Sequence, residues 1–192
     1  MWIQHPEIKD VSLTHVNTPL PIFKFNRDEK MNDYCKEIIL EHRENNPQST
    51  QSNVKAWHSS WKTHLENPKF QPIVDTICKA CYTISSQYYR CSNVHWEVND
   101  LWAMMYEKGE YTIRHNHFPP DDFVYFDFSS CYYVDVESDC SPIIFEDNFE
   151  IKPENGMLLI WQSFLQHEVP PTQGKRMGIS TNIAHKLTGN RS

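Results

Sequence analysis

Between residues 98 and 184 the chain breaks into six short segments rich in β-branched and aromatic residues: VNDLWAMMYE, EYTIRHNH, SSCYYVDV, PIIFED, GMLLIWQ and RMGISTNIA. Turn-forming residues separate them. Short strands at such close spacing confine this half of the chain to a β-sandwich or a barrel-like sheet. The first half has a different texture. From Asp28 to about Asn45 apolar residues recur at Met31, Tyr34, Cys35, Ile38 and Ile39, which is helical spacing, and Asn26 with Glu29 resembles a capping box. ENNPQSTQSN (residues 44 to 53) reads as a polar loop punctuated by Pro47. The spacing predicts a second helix from near Pro72 to about Gln87, with Ile73, Ile77, Cys81 and Ile84 on one face. Trp57 and Trp61, at i and i+4, read as packing residues. A length of 192 residues suits one domain, 1–192. Within it, residues 1–96 form an N-terminal helical support region and 97–185 a β core. The expected class is mostly β with supporting helices (α+β).

Composition removes several functions. With 25 acidic and 18 basic residues the formal charge is −7, which lacks the basic footprint of a general nucleic-acid binder. A hydrophobic content of 39% is too high for a disordered chain. The longest strongly apolar run, Met157 to Trp161, is far short of a membrane span. MWIQHPEIKDVSL carries no apolar signal-peptide core, so a cytoplasmic location is expected, with all six cysteines as free thiols. Cys78-Lys-Ala-Cys81 is a lone CxxC inside a helical pattern, and a structural metal site would need a second pair. No GxGxxG, Walker A or GxSxG motif is present, and no internal repeat.

The chemistry concentrates in the β half. In His115-Asn116-His117 the two imidazoles stand at i and i+2, which on a strand share one face and can meet one ion. Ten histidines in 192 residues give about half an HxH pair by chance, so the pair needs support. Support comes from His167, which follows an apolar strand that opens at Gly156, and from Arg176, nine residues further on. On RMGISTN, Arg176, Gly178, Ser180 and Asn182 face one way, and Met177, Ile179 and Thr181 the other. A buried arginine usually holds an anion, often a carboxylate in bidentate fashion. Gly178 beside it is expected to leave room for a ligand. Arg176 as an ion-pair partner of Glu146 or Asp147 is the structural alternative. Tyr132 and Tyr133 are adjacent, so one is expected to face the core and the other outward.

Taken in order, Tyr106-x-x-Gly109, His115-x-His117, Tyr132-Tyr133, Phe145, Pro153-x-x-Gly156, His167-x-Val169-x-Pro171 and Arg176 resemble the 2-oxoglutarate–Fe(II) oxygenases related to prolyl hydroxylases, over about residues 97 to 184. The resemblance implies a double-stranded β-helix, or jelly roll. It implies His115, His117 and His167 as metal ligands, Arg176 as the partner of the far carboxylate of 2-oxoglutarate, Tyr133 and Tyr106 beside the cosubstrate, and Ser180 as a further contact. The implied cofactors are Fe(II), 2-oxoglutarate as cosubstrate and O2. The implied reaction hydroxylates a C–H of a peptide, protein or small-molecule substrate, with release of succinate and carbon dioxide. The usual triad is two histidines and a carboxylate, whereas position 117 is histidine, and Asp121 or Asp122 is the alternative third ligand. Trp102, Trp161 and Phe164 are candidate cavity walls, and residues 44–60 and 118–128 are the loops expected to select substrate. Two rival readings stand beside this one. A cupin-type three-histidine dioxygenase would need no 2-oxoglutarate, and a non-catalytic metal- or ligand-binding module would show no turnover.

Overall fold

The computed structural model describes residues 14–15, 22–25, 29–117, 126–146 and 148–187. Asn26 of the expected capping box, Asp121, Asp122 and Asp147 lie outside the described residues. Along the chain come β1 (Thr14–His15), β2 (Ile22–Phe25), α1 (Glu29–Asn45), β3 (Val54–Lys55), β4 (Trp57–His58), α2 (Thr63–Glu66) and α3 (Gln71–Thr83). They are followed by β5 (Val94–Tyr106), β6 (Tyr111–His115), β7 (Phe128–Val136), β8 (Ile143–Phe145), β9 (Phe149–Ile151), β10 (Leu158–Gln162), β11 (His167–Val169) and β12 (Arg176–Leu187). All strand pairings between these elements are antiparallel. They form a seven-stranded sheet, β1-β2-β10-β7-β12-β5-β4, and a five-stranded sheet, β3-β6-β11-β8-β9. The two sheets face each other as a jelly roll.

Each predicted segment of the second half is a strand. The first half holds more than helices, because β2 pairs with β10 and extends the large sheet, while β3 and β4 add edges to the two sheets. The second predicted helix is α3, which passes into a π-helical turn, Ile84–Tyr88, instead of running on as α-helix to Gln87. Trp57 and Trp61 do not share a helix face. Trp57 lies on β4 and is buried, and Trp61 lies beyond that strand and is 39% exposed.

Alternation along the large sheet builds two cores. Leu101 and Ala103 of β5, Tyr132 of β7, Leu158 and Ile160 of β10, and Ile179 of β12 pack with Ile39 of α1 and Ile73 and Ile77 of α3. Their neighbours Trp102, Met104, Tyr106, Tyr133, Leu159 and Trp161 point between the sheets. The expectation that one of Tyr132 and Tyr133 faces outward is therefore corrected, since both are fully buried. The helices cover the outer face of the large sheet, so both faces need apolar side chains. Burying these side chains on both faces supplies most of what orders the fold, at about 1.5–3 kcal/mol for each large one.

One irregularity matters to the site. The β7–β12 ladder shifts register between Met177 and Gly178, so that Met177 lies opposite Asp135 and Gly178 opposite Tyr133. The extra residue, Val134, re-aims the end of the strand, and Val136 packs between the sheets although Tyr132 and Val134 face the helices. An added Cβ at Gly178 would lie 3.0 Å from the Tyr132 carbonyl oxygen and 3.4 Å from the Cys131 sulfur. Gly178 thus serves close approach of β12 to the bulged β7, and the expected room for a ligand is not what it provides.

Candidate metal and ligand site

His115 ends β6 and His167 opens β11, and the ladder places them directly opposite each other. His117 lies just past the strand, where its backbone N–H donates to the Ser163 carbonyl at 2.8 Å. The i, i+2 spacing therefore works although the second histidine has left the sheet. The ring centroids are 4.4 Å (His115–His167), 4.9 Å (His115–His117) and 5.1 Å (His117–His167) apart. One nitrogen from each ring lies within 4.8 Å of the others. Nε2 of His117 and Nε2 of His167 are 3.3 Å apart.

The protonation pattern follows from the partners. Nδ1 of His115 is 2.7 Å from the Ile113 carbonyl oxygen, and Nδ1 of His167 is 2.9 Å from that of Leu165. Each Nδ1 carries the hydrogen and donates, which leaves the Nε2 lone pair free to bind a cation. Burial lowers the pKa of all three imidazoles. His167 falls to about 3, with the neighbouring His115 adding to the effect, and His117 falls well below its ordinary value between two other imidazoles. Three neutral, converging imidazoles, two of them hydrogen-bonded on their far side, fit a divalent transition metal.

At the other end of the same cavity Arg176 is 3% exposed. Its guanidinium donates to the Ser141 carbonyl at 3.2 Å and to the Tyr133 hydroxyl at 3.1 Å. It stacks over the rings of Tyr106 and Tyr133, 5.4 and 4.9 Å from their centroids. Among the described residues no carboxylate pairs with it, and Glu146 instead accepts from the Gln166 backbone N–H. Buried guanidinium is costly without an anion, so its aromatic cradle presents a charge that an anion entering the cavity would neutralise. The Tyr106 hydroxyl is held by Thr112 Oγ1 at 2.5 Å. Tyr133 stands behind the guanidinium rather than on the cavity wall, and Ser180 lies on the wall with its Oγ 4.0 Å from the Met104 sulfur.

The inner cavity runs from His115, His117 and His167 to Arg176 and Ser180, walled by Trp102, Met104 and Trp161. It is narrow, with about 40 Å³ open to the centre of a water molecule. Phe164 is 42% exposed and does not line it, so its expected role as a wall is corrected. A wider cleft of about 350 Å³ by the same measure opens outside the histidines, lined by Asn53, Trp61, Asp100, Trp102, Asn116 and Phe126 among others. Trp61 and Asp100 carry no motif, and neither stands out in the sequence. Trp61 packs edge-on against Trp102 at 4.8 Å, and Asp100 is tied to Lys62 and Asn182.

No protein-family model matches the chain, and no curated protein matches it by sequence. Solved structures do match. The chain is similar to a prolyl-4-hydroxylase from Pseudomonas putida with a TM-score of 0.64 at 13% identity, covering 89% of this chain and 95% of that one. A prolyl hydroxylase from Trichoplax adhaerens, in complex with a hypoxia inducible factor oxygen degradation domain peptide fragment, gives 0.64 at 14%, covering 86% and 83%. The viral collagen prolyl hydroxylase of Paramecium bursaria Chlorella virus-1, in its 2OG complex, gives 0.59 at 16%, covering 84% and 94%. The fold is that of the prolyl hydroxylases.

Proposed function

We propose that the protein is a 2-oxoglutarate- and Fe(II)-dependent oxygenase that hydroxylates a C–H bond of a peptide or protein side chain. One observation carries the reading. A cluster of three imidazoles and a buried arginine that pairs with no carboxylate among the described residues open onto one narrow cavity, on the fold of the prolyl hydroxylases. His115, His117 and His167 are the residues that would hold the metal, which supplies the activation of dioxygen when bound. Arg176 anchors the far carboxylate of 2-oxoglutarate, and the Tyr133 hydroxyl and the two tyrosine rings fix the guanidinium's direction. Trp102, Met104 and Trp161 keep bulk water from the reacting end. In the net reaction, one oxygen atom enters the substrate hydroxyl and the other enters succinate, with carbon dioxide released.

The substrate side is the outer cleft. Its width and its asparagine and tryptophan lining suit an extended peptide, and a peptide is what the Trichoplax adhaerens neighbour holds in its complex. A second reading draws on His117, because a three-histidine centre also suits a cupin-type dioxygenase that uses no keto acid. The buried charge of Arg176, without a carboxylate partner among the described residues, favours the first. Anaerobic titration of 2-oxoglutarate into Fe(II)-loaded protein tests it, and a saturable visible charge-transfer band is expected. Iron bound without such a band would leave the second reading.

A further inference from the structure

Trp61 is left 39% exposed, yet it is braced rather than loose. Its ring meets His58 edge-on at 4.6 Å and Trp102 at 4.8 Å, with interplanar angles of 62° and 66°. The backbone fixes it as well, since the Leu101 N–H donates to the Trp61 carbonyl at 3.0 Å and Lys62 bridges to Leu101. Those contacts set Trp61 beside Asp100 on the wall of the outer cleft, which His115 and His117 also line. A fixed and partly exposed indole is a ready platform for a cation. Its ring face is negative, and a ring already held in place loses little freedom when it is covered.

The charge beside it has the matching sign. Among the described residues that line the outer cleft, Asp100 is the one carboxylate, and there is no lysine or arginine. The Asp100 side chain is 15% exposed and accepts at both oxygens, from Lys62 Nζ at 2.8 Å and from Asn182 Nδ2 at 2.9 Å. Lys62 does not line the cleft; its side chain is 51% exposed, and its ammonium also donates to the Asn99 carbonyl at 2.6 Å. A carboxylate offers about four lone-pair sites, so Asp100 can take a second cation from the cleft side. FPPDDFVY, between the cleft residues His117 and Phe126, lies outside the described residues, and its sequence holds two aspartates and no lysine or arginine. The loop sequence ENNPQSTQSN, which ends at the cleft residues Ser52 and Asn53, likewise holds one glutamate and no basic residue.

We infer that the outer cleft selects a peptide by a lysine or arginine side chain, whose methylenes lie on the Trp61 ring and whose cation joins Asp100. This deepens the oxygenase reading and rests on it for calling that peptide the substrate. An exposed ion pair alone gains little, and so does a cation over an exposed ring. The cleft offers both to one side chain. Trp61 and Asp100 are thereby specificity-determining residues, and Lys62 is a built-in competitor for the same carboxylate. An acidic peptide would meet Asp100 as a like charge.

The test is calorimetric titration of end-capped peptides Gly-Gly-X-Gly-Gly, X being lysine, arginine, norleucine or glutamate, into protein supplied with Mn(II) and 2-oxoglutarate. A parallel titration of 2-oxoglutarate alone reads the keto-acid site. The lysine and arginine peptides should bind about tenfold tighter than the norleucine peptide, an advantage that shrinks with added salt, and the glutamate peptide should bind weakest. Asp100→Asn keeps the contact to Asn182 and Trp61→Leu keeps an apolar side chain, and each should remove most of that tenfold advantage. Lys62→Gln should tighten the lysine peptide about threefold, because Asp100 is then left to the ligand. Circular dichroism melts of each variant separate lost binding from lost folding. If 2-oxoglutarate binds but the four peptides bind alike, or the glutamate peptide binds best, the inference falls while the oxygenase reading stands. If 2-oxoglutarate does not bind and the lysine preference is seen, the cleft assignment stands and the oxygenase reading falls. A lysine preference that Asp100→Asn and Trp61→Leu both leave unchanged would overturn the assignment of these two residues.

Discussion

His117 and Arg176 carry the unusual physics of the site, one by lacking a charge and the other by keeping one. Three neutral imidazoles leave a bound divalent ion its full charge, so the anion that joins it is held harder than beside a carboxylate ligand. Residue by residue the consequences separate. His167→Ala removes the imidazole that is directly opposite His115 and faces His117 at 3.3 Å, and it should abolish stoichiometric Fe(II) or Mn(II) binding as read by metal analysis after desalting. Arg176→Ala should leave that stoichiometry intact and weaken 2-oxoglutarate roughly a hundredfold, the loss of a desolvated, charge-assisted contact. An unchanged affinity would mean that another group anchors the ligand. The three clustered histidines and Arg176 were legible in the sequence because their chemistry is scarce and their order is informative. Asp100 of the outer cleft was not, because a lone aspartate in a strand pattern looks the same whether or not a cleft opens beside it.

Strand β12 shows what an element adds to its residues. Arg176, Ser180 and Asn182 face the cavity or the outer cleft, while Met177 and Ile179 pack against the helix side, as the alternation of RMGISTN predicts. What the alternation leaves hidden is the register shift on β7, which depends on the partner strand and not on β12 itself. Gly178 is where this shows. It reads from sequence as space beside a ligand, yet it is the point of closest approach to the Tyr132 carbonyl. Gly178→Ala should therefore cost about 1–3 kcal/mol in urea denaturation, because the clash is with backbone in the middle of a sheet. A variant as stable as the parent would show that the bulge yields. The strands contributed by the first half were equally hidden, since β3 and β4 are two residues long and have no period to read.

At the scale of the whole molecule, buried histidines couple stability to acidity. His58 is fully buried against Trp61 and Trp102, and burial lowers its pKa to about 4 with no charged neighbour offsetting it. The unfolded chain protonates it near 6.5, so below that pH the unfolded state binds more protons and gains. Stability should fall as pH drops from about 6.5 to about 4, by up to about 3 kcal/mol from this group, and then flatten as the folded state protonates too. His42 and His64, whose values burial also lowers, act in the same direction. Denaturation curves at stepped pH check this, and His58→Phe should flatten the slope. The large sheet has a last consequence. Each of its central strands turns one set of side chains to the helices and the alternate set to the cavity, so a slip of one residue would expose polar groups to one core and bury apolar ones in the other. Assembling the scaffold thus proofreads the pocket: a chain that has packed correctly on its helices has already aimed Arg176 inward. The folded fraction and the binding-competent fraction of any preparation should then be the same number.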